Sequence, residues 1–459
     1  MLLHSTPIFY SARVTVECET PLSIKADESD LTIDSRIVRD VNGYPTLPGT
    51  SIAGVLRSVA RACQADDKTL FGAASDDANP SQIQVSFGFI HNSHNQPIIG
   101  LRPPEQHDSQ NEVETLLKDL MPILRDQVAL NEYGAAQEGA KMDRTAVPKG
   151  TRFSFELNWA TDQKNDEQWH KILSWLYHPQ FRLGGLTRRG FGKVKVISIK
   201  QQVYDFTQPD TLTQWQQNRQ LDFNAENGEE ISHTFQATHN ADYLHFSLDL
   251  EAEDFWRIGQ GEKALGTLGK DFDKEPDLKP YTEVVIEWQN QQASLKQQQV
   301  VIPASGIKGA LRHRTLFHYR RLLDDFSDGI EPCERTNTEL KELFGTTEGE
   351  GLAGALIIDD IYLDQTPKHK VMMHNKIDRF TGGTIDGALF SEQLLYGGGF
   401  VLNGLIKQGN QSKPLLEAFR LALSDLAEGR LALGGGATKG HGYFQARQAN
   451  FTQLEEKAN

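Results

Sequence analysis

Apolar and polar residues alternate along Ala12–Glu19 and again along Tyr243–Leu250, and a period of two predicts a strand at each place. Beyond each strand the pattern changes to helical spacing. In the later segment Ile307, Ala310, Leu311 and Phe317 are expected to share a helix face. Pro303 would fix the approach and Ser305 would serve as N-cap; Pro48 with Thr50 and Ser51 plays that part earlier. A second helix is expected over about Asp166–Tyr177 and about Pro414–Ala427, each followed by a glycine-rich loop. A closing strand follows each loop, Val194–Ile199 and the shorter Tyr443–Ala446. Strand, helix, middle strands, second helix and last strand describe a ferredoxin-like module of the α+β class.

The order occurs twice because the chain carries one module in two copies. Leu47-Pro48-Gly49-Thr50-Ser51-Ile52-Ala53-Gly54-Val55-Leu56-Arg57 returns as Ile302-Pro303-Ala304-Ser305-Gly306-Ile307-Lys308-Gly309-Ala310-Leu311-Arg312. Leu-Phe-Gly follows in both, at Leu70–Gly72 and Leu343–Gly345. The loop with Gly184, Gly185, Arg188, Arg189, Gly190 and Gly192 is matched by Gly434, Gly435, Lys439, Gly440, His441 and Gly442. Three motifs in one order at similar spacing indicate a duplication, with a period too long for a solenoid. Domains are expected at 1–205 and 241–459, joined by a Gln-, Asn- and acid-rich linker over 206–240.

The 459 residues allow two separate cores. Three cysteines, Cys18, Cys63 and Cys333, cannot form a paired framework. The N-terminus lacks a basic segment followed by an apolar run, so a cytoplasmic location is expected. No stretch approaches the roughly 20 apolar residues that span a bilayer, which leaves a membrane role without support.

A net charge of −15 argues against a polyanionic partner until its distribution is considered. Between Val300 and Leu323 lie five basic residues and no acid, and between Phe181 and Lys200 six and no acid. Basic strips on an acidic body suit a phosphate backbone; solvated helix faces paired to neighbouring acids are the plain alternative. The glycine-rich loops follow a helix and precede a strand, the reverse of a nucleotide-binding loop, and Lys439 is followed by Gly440-His441 rather than Ser or Thr. Such loops could let backbone approach a sugar-phosphate chain, with Arg188, Arg189, Lys439 and His441 as donors; a tight turn packed on the sheet is the bland reading.

Asp34-Ser35-Arg36-Ile37-Val38-Arg39-Asp40, followed by Gly43 through Arg57, resembles the signature of the RAMP superfamily, the repeating backbone subunits of type III CRISPR effector complexes. Leu-Phe-Gly and the late glycine-rich loop belong to the same pattern. Ile377-Asp378-Arg379-Phe380-Thr381-Gly382, with Glu392 and Gly397-Gly398-Gly399 after it, resembles a further motif that is degenerate in the first copy. The resemblance covers most of both halves and implies two tandem ferredoxin-like (RRM-like) RAMP domains with inserted hairpins. It also implies partners: a guide RNA gripped by its backbone, a paired target RNA, and other subunits of the complex. Ser51, Arg57, Arg188, Arg189, Ser305, Lys308, Arg312, Arg379, Lys439 and His441 are the expected RNA contacts. The family further implies that an acid in the loop before the Pro-containing motif cuts the target with a divalent metal, Mg²⁺ by preference. Carried over, that residue is Asp34, with Asp27 and Asp30 as competitors.

In the second copy, counting back from Pro303 by the interval between Asp34 and Pro48 reaches Gln289, and Gln289–Gln299 holds no acid. Asp271, Asp273 and Asp277 lie further upstream and become candidates if Tyr281–Trp288 forms an extra strand. Two other readings stand beside cleavage: a purely structural RNA-binding subunit, and a guide-processing ribonuclease using histidines such as His91, His94, His313, His318, His374 or His441. His91 and His94 lack a third ligand close by, so a zinc site is not expected.

Overall fold

The computed structural model describes residues 6–26, 33–73, 80–103, 111–130, 136–218, 228–235, 242–259, 261–266, 275–325, 334–346 and 351–458. In the first copy Tyr10, Ala12, Val14 and Val16 point alternately into one core, and the strand they form is β1 (Ile8–Cys18). Helix α1 (Gly49–Ala62) buries Ile52, Leu56, Val59 and Ala60, a one-face helical stripe. Then come β2 (Ile83–Val85), β3 (Arg152–Thr161), α2 (Asp166–Ser174) and β4 (Val194–Asp205). The strands lie in the order β2-β3-β1-β4, all antiparallel, which is the ferredoxin-like arrangement.

The second copy repeats it. Its elements are β5 (Tyr243–Ala252), α3 (Ala304–Leu322), β6 (Leu356–Ile358), β7 (Gly399–Lys407), α4 (Lys413–Ala427) and β8 (Phe444–Asn450). The sheet order β6-β7-β5-β8 corresponds strand for strand to the first. Along α3 the buried stripe runs Ile307, Leu311, Thr315, His318 and Tyr319. Phe317, expected on that face, lies ten residues from Ile307, nearly a quarter turn off the stripe, and is 47 % exposed.

Neither repeated helix is capped by its own serine. Pro48 and Pro303 stand at the N-cap positions, and Ser51 and Ser305 fall inside the first turn. At α3 the missing acceptor comes from a distance: Asp360 Oδ1 receives the Ala304 N–H at 2.8 Å.

Each copy carries an inserted hairpin ahead of its third core strand, Ile123–Leu130 with Ala136–Ala146 in the first and Lys368–His374 with Phe390–Tyr396 in the second. A further hairpin, Thr282–Gln289 with Gln292–Ile302, meets the condition set on Tyr281–Trp288, an extra strand there. It leaves the second copy to pack on the first: Trp288 donates to the Gly150 carbonyl (2.7 Å), and Ile286 and Ala293 join the first core. The segment expected as a linker is also partly structured. Glu229–Glu230 pairs with β4, and Ile231 and Phe235 are buried in the first core.

Candidate nucleic-acid interface

The two glycine-rich loops are held by one set of backbone bonds. Gly185 donates to the Ser23 carbonyl and Gly192 to that of Pro21, both at 2.8 Å; Gly435 and Gly442 donate to Arg257 and Phe255, both at 2.9 Å. A Cβ at Gly184, Gly192, Gly434 or Gly442 would collide with a backbone carbonyl, so these four glycines serve close packing. Gly190 and Gly440 differ. Gly190 (φ +102°) rests on Asp360 and Ala304 of the second copy, whereas Gly440 (φ +83°) faces open space.

The charge around the loops differs as well. At the first, Arg144, Arg188 and Arg189 are half-buried, and no carboxylate pairs with any of them among the described residues. Burial, and then Arg189, lowers the basicity of Arg144; burial and Arg182 act similarly on Arg188, whose Nη1 is buried without a hydrogen-bond partner. At the second, Lys439 donates to Glu392 (3.2 Å), a carboxylate also approached by His374 Nε2 (2.6 Å) and Arg257 Nε (3.5 Å). Burial opposes ionisation of Glu392, but Lys439, Arg257 and His374 outweigh it and hold its carboxyl below the usual range. The first loop therefore presents uncompensated positive charge and the second a nearly closed network.

The repeated helices treat their basic residues unequally. Arg57 donates to Asp67 (2.7 Å) and to the Gly72 carbonyl (3.0 Å), so it ties helix α1 to the Leu-Phe-Gly turn. Arg312, its counterpart, is half-buried and has no ion pair or hydrogen bond among the described residues. Lys308, expected as an RNA contact, is 6 % exposed and bridges the copies by donating to the carbonyls of Leu356 (2.9 Å) and Arg188 (3.2 Å). Burial, then Arg189 and Arg188, pushes its amine down to about 7. Helical spacing put Lys308 on a basic strip; only the fold shows that the strip faces the other copy.

Asp378 builds the turn of the second-copy motif by accepting the N–H groups of Phe380 (2.7 Å) and Thr381 (2.9 Å). Arg379 and Phe380 project from that turn, Phe380 fully exposed. His441 is buried beside Phe255 and Gly436.

Asp34 is exposed and joined to the first inserted hairpin. Its N–H donates to Asp143 Oδ1 (2.7 Å), and the Asp143 N–H returns a bond to Asp34 Oδ2 (2.9 Å). The next pair continues the clasp, Thr145 N–H donating to the Ser35 carbonyl (3.0 Å). Asp143 escaped sequence reading because its partnership is created by hairpin docking, with no local motif. Asp27, Asp30, Asp271 and Asp273 lie outside the described residues. Asp277 is described, exposed, and bonded to Ser391 on the second inserted hairpin.

Two of the candidate histidines are committed to buried neighbours. His91 bonds Ser154 (2.7 Å) and Asn95 (2.9 Å) in a pocket whose burial pushes it down to about 4, and His318 bonds Asp425 (2.6 Å). No helix among the described residues is long and apolar enough to cross a membrane.

No curated protein matches the chain. The family model of the RAMP superfamily matches residues 15–195 and again 249–445, the two stretches that carry the two equivalent sheets. With duplicated ferredoxin-like cores, hairpins inserted at the same point and the same loop bonding in both copies, this chain belongs to the RAMP superfamily.

Proposed function

We propose that this chain is the guide-RNA-binding backbone subunit of a type III CRISPR ribonucleoprotein and that it cuts guide-paired target RNA at Asp34. Superfamily membership supports a CRISPR-associated RNA-binding subunit. The observation that carries the binding half is the group of Arg144, Arg188 and Arg189 beside the first glycine-rich loop, three guanidinium groups without a carboxylate and one with a buried, unpartnered donor. A phosphate chain supplies the missing acceptors without regard to base identity. On the second copy, Arg312 and the open Gly440 loop are further candidate contacts.

For cleavage, Asp34 offers an exposed carboxylate on a loop fixed by the hairpin. Held near a displaced target nucleotide, it would orient the 2′-hydroxyl in line with the adjacent phosphorus. The new O2′–P bond forms as the P–O5′ bond breaks, leaving a 2′,3′-cyclic phosphate and a 5′-hydroxyl. No group of three or more His, Cys, Asp or Glu side chains gathers among the described residues. Mg²⁺ commonly takes one or two carboxylates plus substrate phosphate and keeps several waters, so the exposed Asp34 carboxylate is the residue that would hold it. The ion would neutralise charge on the leaving oxygen. A guide-processing role through histidine is disfavoured by His91 and His318, each committed to neighbours in a buried pocket.

The test is to purify the chain with its complex, identify any RNA it carries, and add the complementary RNA with Mg²⁺ or with chelator. A discrete short guide and chelator-sensitive cutting of its complement are expected. An RNA-free preparation that also fails to bind added guide would refute the reading.

A further inference from the structure

Both glycine-rich loops hold a guanidinium against their second glycine, and the two guanidinium groups come from different places in the fold. A Cβ on Gly185 would lie 3.0 Å from Arg144 Nη1, and one on Gly435 would lie 3.0 Å from Arg257 Nη2. Arg144 reaches its loop from the inserted hairpin. Arg257 sits instead on the segment whose carbonyl accepts the Gly435 N–H, the part that Ser23 plays for Gly185. The hairpin position of Arg144 is held in the second copy by Glu392. Asp143 N–H donates to Asp34 Oδ2 (2.9 Å) and Ser391 N–H to Asp277 Oδ2 (2.8 Å), so the residues that follow, Arg144 and Glu392, stand at equivalent places. Cross-strand pairing agrees: Arg144 faces Arg125 one pair beyond Asp143–Asp126, and Glu392 faces Met372 one pair beyond Ser391–Met373.

The second copy therefore carries the same two cationic positions with a carboxylate set between them. Glu392 Oε1 accepts from Lys439 Nζ (3.2 Å) and Oε2 faces Arg257 Nε (3.5 Å), and the carboxylate side chain is 2 % exposed. Phe390 steers Lys439 towards it, with Nζ 4.6 Å from the ring centroid and His374 stacked on the same ring at 5.0 Å. In the first copy Arg189 precedes Gly190 as Lys439 precedes Gly440, and no carboxylate pairs with Arg189 or Arg144 among the described residues. We propose that Glu392 is a built-in counter-anion: it takes at Lys439 and Arg257 the place that RNA phosphate takes at Arg189 and Arg144. The guide is then anchored electrostatically by the first copy and held on the second only through the open backbone at Gly440. The proposal rests on the reading of the chain as a guide-RNA-binding subunit. A phosphate that approaches Lys439 has to displace a carboxylate already in place, so one ion pair is exchanged for another and little binding energy is gained.

The experiment measures guide affinity of the full chain against salt concentration, with a melting temperature for every variant. Each phosphate contact adds about 0.7 to the steepness of log K against log salt for a single strand. Glu392→Gln keeps the size of the side chain and frees Lys439 and Arg257, so it should steepen the slope by about 0.7 and tighten binding roughly fivefold at about 0.1 M salt. Adding Lys439→Gln should remove that gain. Arg189→Gln should flatten the wild-type slope by a similar amount. A Glu392→Gln chain that melts like wild type and keeps its affinity and slope overturns the proposal, since Glu392 would then only tie the hairpin to the loop. Should Glu392→Gln fail to fold, the reciprocal change decides: Arg144→Glu sets a carboxylate beside Arg189 and should flatten the slope more than Arg144→Gln does. Equal slopes for those two variants overturn the proposal as well. Failure of the underlying reading is distinct: wild type would then show no salt-dependent guide binding, and Arg189→Gln would change nothing.

Discussion

Arg125, on the first copy's inserted hairpin, forms a buried ion pair with Asp360 of the second copy, Nη1 to Oδ2 at 2.6 Å. Glu283 shares the same guanidinium and accepts from Tyr281 (2.7 Å) and Tyr362 (2.6 Å), while Phe191 and Tyr281 lie against its face. The three charged side chains are at most 2 % exposed. Asp360 also caps α3, so one carboxylate links the hairpin of one copy to the repeated helix of the other.

Arg125→Met should consequently be severe. It leaves two buried carboxylates without a cation, a change that costs about 3–5 kcal/mol. Chemical denaturation measures it directly. Adding Glu283→Gln and Asp360→Asn should recover much of the loss, and a single mutant as stable as wild type would contradict the network's role.

Lys308 predicts a pH dependence. Its amine lies at about 7 in the folded chain against an ordinary 10.5, so between those values the unfolded chain binds more protons and stability rises with pH. Below about 7 both states are protonated and this contribution is flat. Denaturation midpoints from pH 6 to about 10 should show the rise, and Lys308→Met should flatten it. A wild-type curve that falls across that window in proportion to Lys308 occupancy would have the wrong sign.

Gly190 and Gly440 separate packing from RNA contact. Both have positive φ, so alanine strains either by about 1–2 kcal/mol. Only at Gly190 does the added methyl meet Asp360 and Ala304. Gly190→Ala should lower the melting temperature well beyond Gly440→Ala, and Gly440→Ala should reduce RNA loading at near-normal stability. Equal melting losses with normal loading in both would exclude RNA from the Gly440 loop.

Arg57 and Arg312 should part company despite their matched positions. Arg57→Ala removes the tie to Asp67 and Gly72, at a cost of about 1 kcal/mol given its partial exposure. Arg312→Ala should leave stability alone and weaken guide retention, most at raised salt and alike for unrelated guides. Retention measured against salt, beside thermal melts, distinguishes them.

Much of this was legible in the chain. Period-two strands, the paired Pro-containing helices and the two glycine-rich loops are local patterns, and duplication reinforced each by its twin. Asp34 could be proposed because its spacing from Pro48 is uninterrupted. In the second copy the inserted Thr282–Ile302 hairpin stretches that spacing, so counting back from Pro303 meets no acid. Asp143, Arg125 and Asp360 stayed hidden because their partners lie 109, 158 and 56 residues away, on elements brought together only by docking. Lys308 misled for a related reason: helix periodicity reports which residues share a face and is silent on what covers it.

Asp34, as proposed, performs chemistry rather than binding. The most direct measurement maps the 5′ ends of target fragments made by guide-loaded wild type and Asp34→Ala in Mg²⁺, with target affinity recorded in parallel. Loss of one defined cut at unchanged affinity is the expected result, because a group acting in the transition state alters rate far more than ground-state binding. An Asp34→Ala fragment pattern identical to wild type would contradict it.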